Sequence, residues 1–130
     1  MKRRTAREKA LQALFQIDMS QAKASEAIEN VLENHPQDDY LTELVVGVDL
    51  HKQQIDEIIK LHLEKWTLER LATVDRNLLR IAIFELLYKK DEVPANVVLD
   101  EAIEIAKVFG DDQSSRFVNG VLSKVKEENS

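Results

Sequence analysis

The chain has 130 residues, 44% of them apolar and 32% charged, with a net charge of −6 and no cysteine. Such a chain is long enough to bury one domain core, and the absence of cysteine excludes disulfides and thiolate zinc sites. Three glycines and two prolines are too few for the tight turns of an all-β protein. No run approaches 18 apolar residues, so no membrane span is expected. The basic start is not followed by an apolar h-region, because Gln12 and Gln16 interrupt it and Asp18 ends it. The expectation is a soluble, cytoplasmic, all-α protein.

Charge is unevenly placed. Lys2, Arg3, Arg4, Arg7 and Lys9 are opposed only by Glu8 within residues 1–10, which leaves that segment at +4 and the remainder at −10. The first predicted helix, Arg4 to Met19, carries Ala6, Ala10, Ala13, Leu14 and Ile17 at helical spacings. Cations in a first turn face the positive end of the helix dipole and cost about 0.3–1 kcal/mol each when exposed. A helix selected only for stability would carry acidic residues there. Arg3, Arg4 and Arg7 share one arc roughly 100° wide, close to the arc that Leu11, Leu14 and Phe15 occupy farther along, while Lys9 points away. Two readings remain open. One is a solvated, frayed helix start. The other is a phosphate-binding arm, because guanidinium forks match phosphate oxygens.

The next helix spans Ser25 to Glu33, with Ala27, Ile28, Val31 and Leu32 on one face, and His35-Pro36 follows its end. A long helix from Asp38 to Leu63 carries a stripe of Leu41, Leu44, Val45, Val48, Ile55, Ile58 and Ile59. Gly47 lies inside it, which points to close packing or to a kink. Residues 66 to 72 read as one irregular turn. The next helix starts at Thr73-Val74-Asp75, with Thr73 as N-cap and Asp75 suited to the dipole, and runs to Lys89. Pro94 opens a helix ending at Phe109-Gly110, with Gly110 as its C′ residue. Asp111 or Asp112 caps the last helix, which reaches Glu127. The pattern therefore predicts six or seven helices, grouped as an N-terminal subdomain (residues 1–64) and a C-terminal one (residues 65–130).

The helix from Asp75 to Lys89 is apolar all round, the pattern of a central helix. Arg80 and Glu85 lie within it and need partners if buried. Glu101 borders the apolar face of the following helix and is the first-choice partner for Arg80, as a structural ion pair. The three histidines lie at no metal-ligand spacing, no phosphate loop is present, and no nucleophile stands with a base. No catalytic residue, metal ligand or cofactor is therefore assigned, and an enzyme is not expected.

Several segments carry a family resemblance as an ordered set. They are the N-terminal Arg-Arg-Thr-Ala-Arg-Glu-Lys-Ala-Leu-Gln-Ala-Leu-Phe, Leu79-Arg-Ile-Ala-Ile-Phe-Glu-Leu, Glu101-Ala-Ile-Glu-Ile-Ala-Lys-Val-Phe-Gly, and Phe117-Val-Asn-Gly-Val-Leu. The chain resembles the NusB family of bacterial transcription antitermination factors over nearly its full length; Met19 to Leu63 matches less distinctly. The resemblance implies a two-subdomain all-α fold and RNA binding through the basic arm. It implies the boxA element of ribosomal RNA leaders as target. It also implies NusE, a small-subunit ribosomal protein, as partner within an elongating RNA polymerase complex that contains other Nus factors. Arg3, Arg4 and Arg7 match the family's basic arm, with Lys2 beside them. Phe117 and Asn119 fall on a segment that lies near RNA in the family. Asp75 and Arg76 fall in the region it turns toward NusE. Some family members form homodimers, and the sequence leaves that state open here. The competing class is a helical protein–protein adaptor whose arm binds an acidic protein surface.

Overall fold

The structure is a computed structural model, and it describes residues 1–129. Among these residues there are six α-helices and no strand: α1 (Arg3–Ser20), α2 (Ala24–Leu32), α3 (Asp39–Leu61), α4 (Thr73–Tyr88), α5 (Ala95–Phe109) and α6 (Ser114–Glu128). A single 3₁₀ turn, Leu68–Arg70, occupies the irregular segment before α4. No helix is long and apolar enough to cross a membrane.

α4 is the axis of the molecule and packs against α1, α3, α5 and α6. Leu78, Leu79, Ile81, Ala82, Ile83, Phe84 and Leu86 are all buried, so no face of its middle is left to solvent. Each of the leucine, isoleucine and phenylalanine side chains contributes about 1.5–3 kcal/mol by leaving water. α1 offers the core a strip of small residues, Ala6, Ala10 and Ala13, each 0% exposed, which lets its backbone lie close to its neighbours. One continuous apolar core includes residues from both halves of the chain.

Gly47 serves close packing. A Cβ at this position would stand 2.3 Å from the Phe84 ring of α4. The kink lies one turn later, at His51 (φ −103°, ψ 16°). There the imidazole stacks on Tyr88 with ring centroids 4.4 Å apart.

Three helix ends differ from expectation. Thr73 is the first helical residue of α4 rather than its N-cap; Ala72 precedes it and supplies no side-chain cap. Gly110 ends α5 in an extended conformation (φ −96°) rather than the left-handed one. It is required instead by space, because a Cβ would meet Ser114 Oγ at 2.3 Å. Asp111 stands before the start of α6 and accepts from the Gln113 N–H at 2.9 Å and from Ser114 Oγ at 3.2 Å.

Candidate nucleic-acid interface

The start of α1 lies against the second half of α4 and the middle of α5. The segment before it is tethered: the Met1 ammonium donates to Asp38 Oδ2 at 3.2 Å, while Asp38 Oδ1 caps α3 by accepting from the Leu41 N–H.

Arg7 does not belong to the exposed set expected of the arm. It is 3% exposed. Its Nε and Nη2 donate to the two oxygens of Glu85, each at 2.8 Å, and its Nη1 reaches Glu101 at 3.4 Å. Tyr40 Oη donates to the same Glu85 carboxylate at 2.5 Å. Burial opposes the Arg7 charge, but the hydrogen bond and charge of Glu85 outweigh it and raise its pKa. Burial and then Glu85 likewise push the Tyr40 phenol far above its usual range. Arg7 continues the arc of Leu11 and Leu14, both buried, and Glu85 is a buried acid in need of a cation.

Arg4 donates through Nε to Glu101 Oε2 at 2.9 Å, and its Nη2 also contacts that oxygen. Its side chain remains 51% exposed. Arg3 lies over the Tyr40 ring, 4.4 Å from its centroid. Lys2, Arg3 and Arg4 are therefore the exposed cations of the arm, and Lys9 is half-buried. Arg7 anchors them to the core.

The expected Arg80–Glu101 pair is corrected. Arg80 is buried and carboxylate-paired, but its partners are Asp56 (Nε 2.8 Å, Nη2 3.0 Å) and Asp18 (Nη1 3.1 Å). Asn77 Oδ1 accepts from the same Nη1 at 2.9 Å. Arg80 faces the end of α1 and α3, whereas Glu101 on α5 faces the start of α1. Two separate charge networks result, one at each end of the α1–α4 contact.

Arg76, expected to face a protein partner, turns inward. Its Nη2 donates to Asp18 Oδ2 at 3.1 Å, and its Nη1 reaches the carbonyls of Leu68 and Leu71. Asp75 is also largely enclosed, at 9% exposed. Its Oδ1 is buried without a hydrogen-bond partner. Burial raises its pKa, and Asp111 adds to the effect. Neither residue presents a free charge to a partner.

Phe117 is half-buried against the core, and Asn119 is exposed, accepting from Ser123 Oγ at 3.2 Å. Phe117 lines two adjoining clefts, of 250 and 420 Å³, together with Trp66, which is 56% exposed. Lys65, Arg116 and Lys124 rim the smaller cleft. Trp66 lies outside any helix, two residues before the 3₁₀ turn Leu68–Arg70, where helical periodicity gives no signal for it. The arm and this aromatic pair are not brought together. Glu85, which holds the arm, and Asp75, which lines the larger cleft, are ten residues apart on α4, about 15 Å at 1.5 Å per residue.

The described residues contain no group of three or more His, Asp or Glu placed to hold a metal ion. The family model described as NusB family matches residues 4–127. The transcription antitermination protein NusB of Bacillus velezensis is 56% identical over 97% of this chain and 96% of its own length. That of Bacillus subtilis is 55% identical over 98% and 97%. Among solved structures, T. maritima NusB superposes with a TM-score of 0.89 at 38% identity, covering 98% of this chain and 92% of that one. A chain from a crystal structure of the antitermination factors NusB and NusE in complex with dsRNA gives 0.87 at 30% identity, covering 97% and 96%. With an all-α fold built around α4 and a family match that spans nearly all of its length, the chain belongs to the NusB family.

Proposed function

We propose that this protein is a transcription antitermination factor of the cytoplasm. It binds the boxA RNA of ribosomal RNA leaders together with NusE and joins the elongating RNA polymerase complex. The observation that carries the reading is the arm. Lys2, Arg3 and Arg4 are exposed at the start of a helix whose next arginine is locked to Glu85 in the core. Stability does not call for cations at that position. A fixed cluster of guanidinium groups does suit a phosphate backbone. Away from the arm, Phe117 and Trp66 line a separate cleft with Arg116 and Lys124, and aromatic rings beside cations suit the stacking of unpaired bases. The related structure that contains NusB, NusE and dsRNA supports both partners.

NusE has a physical role in this scheme. A body of net charge −6 repels a polyanion at long range, and a partner that adds contacts and offsets that charge raises affinity. The test is titration of a boxA-like oligonucleotide and a scrambled one, with and without NusE. Tighter binding of boxA by the pair than by either protein alone is expected. Equal affinity for both oligonucleotides in the presence of NusE would overturn the boxA assignment.

A further inference from the structure

We propose that Glu101 is a built-in competitor for the RNA phosphate and sets the affinity of the arm through Arg4. The inference rests on the RNA-binding reading above.

Arg4 is the one arm cation whose guanidinium is held by a carboxylate while still open to solvent. Two of its nitrogens contact Glu101 Oε2, yet half of its side chain is exposed. A carboxylate oxygen on a guanidinium edge occupies the place a phosphate oxygen would take, with the same charge sign and donor geometry. Glu101 is itself fixed. Its other oxygen accepts from Arg7 Nη1 at 3.4 Å, and its side chain is only 18% exposed. It therefore cannot swing far from the phosphate that would replace it. The hydrogen bond and charge of Glu101 are the main causes that raise the Arg4 pKa.

Arg3 and Arg4 are thus unequal. Arg3 rests on an aromatic face and meets RNA as a full cation. Arg4 meets it as part of a nearly neutral pair, and one of its contacts must be broken or shared. Arg7 does not depend on Glu101, since the Glu85 fork holds it independently. Removing the Glu101 charge therefore frees Arg4 without freeing Arg7.

The experiment is a salt titration of boxA-like RNA binding for the wild type, Glu101→Gln, Arg4→Ala, Arg3→Ala and the double variant R4A/E101Q. Glu57→Gln, on the exposed side of α3 and paired with Lys60, is the control for the same change in net charge. E101Q should bind about two- to fivefold more tightly at low salt, the scale of one exposed ion pair. Its slope of log affinity against log salt should steepen by up to about 0.7. The double variant should lose that gain, and E57Q should show little of it. In an otherwise wild-type background, R4A should lose less affinity than R3A. That comparison stands even if E101Q folds poorly. Unchanged or weaker binding by a folded E101Q overturns the proposal, as does an R4A loss equal to that of R3A. No RNA binding by the wild type, with or without NusE, overturns the functional reading and the competitor role with it.

Discussion

Arg7 and Glu85, 78 residues apart in sequence, meet through two parallel hydrogen bonds of 2.8 Å, with their side chains 4% and 1% exposed. This fork ties the first turns of α1 to the central helix and holds the basic arm against the body. Its members are the only route by which the charge of each is satisfied inside the core, apart from Tyr40 and the edge of Glu101.

Arg7→Ala leaves Glu85 buried with a phenol but no cation. Breaking one side of a buried pair costs about 3–5 kcal/mol. Arg7→Lys should recover little, because an ammonium cannot make the two parallel bonds of the fork. The variant with both Arg7→Met and Glu85→Leu should be less destabilised than the sum of its parts, since no unpaired charge remains. Urea denaturation of the wild type, R7A, R7K, the double variant and its two component single variants checks the order. A loss below about 1 kcal/mol for R7A, the scale of an exposed pair, would show that the fork is not an anchor.

Gly47→Ala sets two effects against each other. Alanine gains about 1 kcal/mol of helix propensity over glycine. Its Cβ would meet the Phe84 ring at 2.3 Å, and that ring is buried and stacked against Tyr88 at 5.3 Å. Overpacking of this kind costs about 1–3 kcal/mol. The expected result is net destabilisation in chemical denaturation, relieved when Phe84→Leu is added. A stabilised G47A would place the helix–helix contact elsewhere.

Much of this architecture was legible in the sequence because it depends on local pattern. The all-round apolar run from Leu78 to Leu87 announced a central helix, and the alternatives offered for Gly47 included the observed one. What was not legible depends on which helix faces come together. Arg80 needed a carboxylate, and helical periodicity could not choose among Glu101, Asp56 and Asp18, which lie on three different helices. For the same reason the pattern groups Arg7 with its exposed neighbours: its arc is the apolar one, but the acid that receives it, Glu85, comes from a segment 78 residues away. Trp66 carries no periodic signal because it lies outside any helix.

Two aspartates should give opposite pH signatures. For Asp18, burial disfavours the charge, but Asn77, Arg80 and Arg76 outweigh it and lower the pKa below the ordinary 3.8. Its contribution to stability is present above pH 3.8 and is lost as pH falls through the folded value. Asp18→Asn should therefore melt lower than the wild type at pH 7, with the gap closing in acid. For Asp75, burial and Asp111 raise the pKa despite Ser114. Its favourable contribution is present below pH 3.8 and is lost as pH rises through the folded value. Asp75→Asn should melt higher than the wild type at pH 7, with that gap also closing in acid. Thermal melts across pH 3 to 7 test both. A lower melting point for D75N at pH 7 would mean that the favourable N-terminal position of this carboxylate outweighs its burial.

The arm gives the last prediction. If Lys2, Arg3 and Arg4 contact phosphates, each adds about −0.7 to the slope of log affinity against log salt for single-stranded RNA. Replacing all three should flatten the slope by roughly 2 at most, and by less to the extent that Glu101 already neutralises Arg4. Helix content should hardly change, because cations at a helix start do not stabilise it. Discrimination between boxA and scrambled RNA should persist in the remaining binding, since phosphate contacts position the chain while base contacts specify it. Lys9→Ala should matter less, because Lys9 is half-buried and projects from another face of α1. Arg7→Ala should differ in kind, losing stability first and RNA affinity only as the arm loosens. A salt titration paired with thermal melts separates the two behaviours. An unchanged slope in the triple variant, or a Lys9→Ala loss as large as that of the triple, would place the RNA on another surface.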